Sequence, residues 1–202
     1  MFMQDFAKLT MDSALVMHRQ PAVIPAPVIG GIVAGTLVEA ARGWVAVETL
    51  RIGDKVQTLD GGLARVQALD RRNLSQAAES PLIHVPGGNY DACSDLMLVP
   101  GQHVLMDTLG DAAFGSAPYA LVPAVALTYD PRIRRGRPDL TVEVVTPMFA
   151  DEEIIFANSG VLLHCPGVMD GAGRYPDDSF FPRLDAATAC EFLERRAARL
   201  AA

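Results

Sequence analysis

Cationic side chains are the first shortage in this 202-residue chain: 17 lysines and arginines stand against 24 aspartates and glutamates, a formal net charge of −7. A protein that tracks phosphates presents the opposite balance, so nucleic acid and anionic membrane surfaces are poor partners. Cysteine is scarce as well. Cys93, Cys165 and Cys190 form no close pairs, which excludes a dense disulfide framework and fits a reducing compartment. No apolar run approaches the roughly 20 residues that span a bilayer. The opening segment places Asp5 and Asp12 among apolar positions and lacks the cationic start and clean apolar run of a signal peptide. A soluble cytoplasmic protein is expected, with leaderless export left open. Zinc-type pairs such as C-x-x-C or H-x-x-x-H, a P-loop, a dinucleotide fingerprint and a nucleophile elbow are all missing. The expectation is therefore no cofactor and no metal, although His84, Cys93, His103, His164 and Cys165 would be candidate ligands if a β fold brought them together.

Half of the residues are hydrophobic and 20% are charged, the composition of an ordinary globular domain with one sizeable core. Three segments are distinguished. Residues 1–29 form an N-terminal arm, in which Phe2, Phe6, Leu9 and Ala14 could line one side of a weak helix before prolines at 21, 25 and 27 enforce an extended path. Residues 30–167 alternate short β-rich runs with turn signals, the pattern of an all-β domain. The candidate strands are 32–33, 36–38, 44–47, 55–58, 63–69, 82–85, 96–99, 103–106, 120–123, 142–145 and 154–157, with a further closing strand at 160–165. Asp60-Gly61-Gly62, Pro86–Asn89 and Asp107–Gly110 supply turns. The basic run Arg132–Arg137 between Pro131 and Pro138 is read as a solvated hairpin loop, with docking of an acidic partner as the functional alternative.

Residues 168–202 hold a linker and one helix. Asp185 is placed to cap it, the sequence is rich in alanine, and arginines gather at its C-terminal end, where the helix dipole favours cations. Ala186, Cys190, Leu193, Ala197 and Leu200 recur at helical spacing. That stripe either packs on the β domain or forms a homodimer contact. No internal repeat is present.

Two blocks early in the β region are specific when taken together: Gly31-Ile-Val-Ala-Gly-Thr36, then Val47-Glu-Thr-Leu-Arg-Ile-Gly-Asp-Lys-Val-Gln-Thr58. They resemble the opening of the Hint module of hedgehog autoprocessing domains and inteins, whose pattern runs C-[FL]-x-x-G-T and then V-E-x-L-x-x-G-D-x-V-x-T. The resemblance covers about residues 30 to 167 and implies a mostly β, pseudo-twofold Hint-like fold. It also implies a set of reacting parts. The family nucleophile is a cysteine that attacks the preceding carbonyl; its position here is Gly31. The family T-x-x-H motif supplies a hydroxyl and a proton-donating histidine; Leu98-Val-Pro-Gly-Gln-His103 keeps His103 and puts Pro100 in place of the hydroxyl residue.

A second family histidine precedes a late strand. Glu152 of Asp151-Glu-Glu-Ile-Ile-Phe-Ala157 stands there, where it either acts as a base or is a solvent-facing strand residue. The closing block Gly160-Val-Leu-Leu-His-Cys165 resembles the family ending without its asparagine. Side chains of His164 and Cys165 would have to converge to activate the thiol, and neighbours on a strand point to opposite faces. Two functions compete on these residues. One is a non-catalytic module that binds a protein or peptide near His103 and Gly31, or serves a structural role. The other is residual autoprocessing through His103 with Cys165 or Glu152.

Overall fold

A computed structural model describes residues 30–74, 81–137, 141–168 and 179–201; the expected N-terminal helix lies outside them. The described chain is mostly β. Its strands are β1 (Ile32–Val33), β2 (Leu37–Ala40), β3 (Gly43–Ala46), β4 (Lys55–Thr58), β5 (Gly62–Arg65), β6 (Ala68–Leu74), β7 (Leu82–Val85), β8 (Leu96–Leu98), β9 (His103–Asp107), β10 (Tyr119–Pro123), β11 (Arg134–Gly136), β12 (Val142–Met148), β13 (Glu153–Ala157) and β14 (Val161–Cys165), followed by helix α1 (Ala186–Leu200). One sheet has the order β11-β7-β8-β1-β12-β6. The other runs β10-β9-β14-β13-β2-β4-β5, with β3 paired to β2.

Alternation of apolar and polar residues decides which side of each strand is buried. Ile32, Ile83, Leu98 and Val145 of the first sheet join Val38, Val56, Ile155 and Leu163 of the second in one hydrophobic core. Registers agree with this: Ile32 sits opposite Val145 on one side and Leu98 on the other. The run read as a single strand over 63–69 is two. Between them the chain leaves the second sheet for the first, with Val66 fully buried, its N–H donating to the Asp54 carbonyl at 2.8 Å and its carbonyl accepting from Gly53 N–H.

The basic run is likewise corrected. Ile133 within it is buried, and Arg134–Gly136 pair in register with His84, Ile83 and Leu82, so half of the segment is an edge strand rather than a loop.

Asp185 caps α1 as expected, its side chain accepting from Thr188 N–H at 2.8 Å. The buried face is narrower than the expected stripe. Ala189, Phe192 and Leu193 enter the core, with Phe192 edge-on to Phe114 at 5.1 Å, whereas Ala197 and Leu200 are exposed. One turn further along, Arg195 and Arg199 bind the buried carboxylate of Asp111 at 2.7 and 3.4 Å. The last turns of the helix are thus tied to the β domain by charge on the Arg195/Arg199 side, while Ala197 and Leu200 stay at the surface.

Candidate functional site

The peptide unit joining Gly30 to Gly31 enters the fold immediately before β1 and is held at both poles. Its N–H donates to Gln102 Oε1 at 2.8 Å. Its carbonyl accepts from Arg72 Nη2 and, at 3.5 Å, from the Thr146 hydroxyl. Arg72 and Thr146 come from β6 and β12, neighbouring strands of the first sheet, while Gln102 immediately precedes β9 of the second. A peptide group enclosed by protein requires such partners, because leaving them unmade costs on the order of 1–3 kcal/mol each.

Gly31 itself has φ +141° and is buried. A Cβ there would lie 2.5 Å from Val144 Cγ1, 2.9 Å from Thr146 Oγ1 and 3.0 Å from Arg72 Nη2. Backbone angle and lack of space both select glycine. A nucleophilic side chain at this position needs its neighbours to move.

Gln102 carries the connection onward. Its Nε2 donates to the carbonyls of His103 at 3.0 Å and His164 at 2.8 Å. The rings of these two histidines meet edge to face, centroids 6.4 Å apart. Burial, followed by the neighbouring Arg183 and His164, holds His103 far below the ordinary histidine range, at about 3. The ring is therefore neutral at physiological pH and a poor source of a proton for a departing amine.

Glu152 is not a solvent-facing strand residue. It precedes β13, and its half-buried carboxylate accepts from His164 Nε2 at 3.0 Å, Ser179 Oγ at 3.0 Å and the Phe180 N–H, with Arg183 Nη2 at 3.5 Å. Burial raises its pKa, but the bonds from His164, Phe180 and Ser179 outweigh that and bring it down to about 2. A carboxylate so held is an anion and a feeble base. Arg183 completes the group, with Nη2 3.2 Å from His164 Nε2.

His164 and Cys165 do not converge on a shared reaction centre. Cys165 pairs in register with Glu153 and is buried in the hydrophobic core, which pushes its thiol well above the usual range. Pro100 is also buried; its carbonyl accepts from Val125 N–H at 3.0 Å, so it shapes the turn before His103 and contributes no donor. All three cysteines are free. His84 lies apart, 2.9 Å from Asp95. Among the described residues, no group of three or more His, Cys, Asp or Glu side chains is placed to hold a metal ion.

Of the sequence candidates, Gly31, His103, Glu152 and His164 thus belong to one connected cluster, Pro100 lies in the turn that precedes Gln102 and His103, and Cys165 is buried in the hydrophobic core. Arg72, Gln102, Thr146, Ser179 and Arg183 had not been anticipated. Gln102 had a signal in its position beside His103. The others are separated from the motifs by long stretches of chain, and only the sheet pairings unite them.

Two antiparallel sheets around a shared core, with the start of β1 threaded between them, define the class of fold. The chain belongs to the Hint family: the family model described as the Hint domain matches residues 31–162. Similar solved structures include a bacterial intein-like domain from Clostridium thermocellum, at 19% identity and a TM-score of 0.45, covering 66% of this chain and 97% of that one. The Msm DnaB1 intein splicing domain bound with zinc is similar at 16% identity and a TM-score of 0.40, covering 65% and 98%. A comparison with curated proteins finds no match. Among the described residues, no helix is long and apolar enough to cross a membrane.

Proposed function

We propose that this Hint domain does not process its own chain and serves as a protein-binding or structural module. The observation that carries the reading is the enclosure of Gly31, where the family nucleophile would stand: a Cβ meets Val144 at 2.5 Å and Arg72 at 3.0 Å. The remaining parts agree. His103 is neutral, Glu152 is committed to His164, Ser179 and Arg183, and the Cys165 thiol is buried on another face. The Gly30–Gly31 peptide stands where a scissile bond would, but its hydrogen bonds hold it as ordinary structure.

The competing reading is residual autoprocessing through His103 with Cys165 or Glu152. Intact-mass measurement on the purified chain, after long incubation with and without a thiol, separates the two. A single unchanged species is expected. Fragments that break at Gly31 or beside Cys165, and that vanish in His103→Ala, would establish processing instead.

A further inference from the structure

The geometry points to the outer edge of β11 as a docking site for an acidic, extended segment of a partner protein, which pairs with the strand as an added β-strand. The inference rests on the proposed binding role and gives it a location away from Gly31. β11 is the terminal strand of its sheet, and among the described residues no strand pairs with its outer side. Alternate residues of an antiparallel strand turn their N–H and C=O groups away from the existing partner, so a terminal strand offers backbone groups to an incoming chain.

The strand is held firmly enough to act as a template. Ile133 is buried, three residues pair in register with β7, and the turn leading into it is fixed by Ile133 N–H donating to the Asp130 carbonyl at 3.0 Å.

Charge selects the occupant. Arg132, Arg134, Arg135 and Arg137 are all exposed within six residues. Arg132 is engaged by Asp130, with Nη2 to Oδ2 at 2.6 Å, and Arg135 donates to the Thr128 hydroxyl at 3.3 Å. Arg134 and Arg137 have no ion pair among the described residues. The concentration is pronounced in a chain whose formal net charge is −7. A second copy presenting the same edge meets four like charges, and charged edges are a recognised means of preventing such pairing. An acidic strand meets complementary charge and free backbone groups together. A polyanionic nucleic acid meets the charge alone, and the acidic remainder of the protein opposes it.

The test uses the full chain and a fluorescein-labelled peptide of alternating glutamate and valine, followed by anisotropy at low and high ionic strength. Three controls accompany it: the Arg134→Glu/Arg137→Glu variant, a copy of the peptide N-methylated on alternate backbone nitrogens, and a single-stranded oligonucleotide of similar charge. The expected result is saturable binding that weakens with salt, is about tenfold weaker for the double variant, and is lost for the N-methylated peptide. Those amides among residues 134–136 that point away from β7 should gain hydrogen-exchange protection in the complex. Absence of binding, equal binding of the methylated peptide, or tighter binding of the oligonucleotide would each overturn the proposal. Self-processing is read separately by the mass of the chain, so either idea can fail without the other.

Discussion

At the scale of single residues, Gly31 and His103 show how the surroundings of a side chain decide its chemistry. Gly31→Ala should cost roughly 2–5 kcal/mol, combining positive-φ strain with overpacking against Val144 and Arg72; denaturant titration measures it. His103 gives a pH signature. Its folded value of about 3 is below the ordinary 6.5, so the unfolded chain takes up a proton that the folded one refuses. Its contribution to stability is complete above pH 6.5 and is lost as pH falls from there towards 3, by up to about 1.4 kcal/mol per unit. Glu152, held at about 2 against an ordinary 4.5, adds a further loss only below 4.5. Denaturant titrations at a series of pH values should therefore show a slope between pH 6 and 5 that flattens in His103→Gln. Thiol labelling offers a third check at this scale: exposed Cys93 should react promptly, and buried Cys165 only on unfolding.

At the scale of elements, α1 is part of the core. Phe192→Ala should lower stability by about 3–5 kcal/mol, and deleting residues 185–202 should abolish cooperative unfolding rather than release a folded monomer. Asp111→Ala, which leaves Arg195 and Arg199 without their shared carboxylate, should speed amide exchange within α1. The helix was legible in the sequence because its cap and composition are local. Its buried face was less so: Ala197 and Leu200 keep the helical spacing yet are exposed, and Asp111, which pairs with Arg195 and Arg199, lies far off in sequence. The strands divide in the same way. Lys55–Thr58 and Leu82–Val85 were read to the residue from alternation and flanking turns. The break at Val66 was hidden, since a β-branched residue continues a strand pattern even where the chain changes sheets. The edge strand at 134–136 was hidden as well, because its pairing with β7 leaves no mark in a run of arginines.

At the scale of the whole molecule, Hint-family membership was legible from two motifs near the start, and the positions of Gly31, His103 and Glu152 followed from it. The cluster around them was not legible. Arg72, Gln102, Thr146 and Arg183 reach it from strands and segments far apart in sequence, and each was an unremarkable polar residue until the two sheets closed. A missing cysteine would be one absent atom group if everything else stood ready, whereas here the neighbours fill the space, the histidine is neutral and the carboxylate is engaged. The most direct measurement is therefore the intact mass of the Gly31→Cys variant, read on its folded fraction after incubation with a thiol or hydroxylamine. An uncleaved chain is expected. Release of the segment preceding residue 31 would contradict it, by showing that the thiol was all the site lacked.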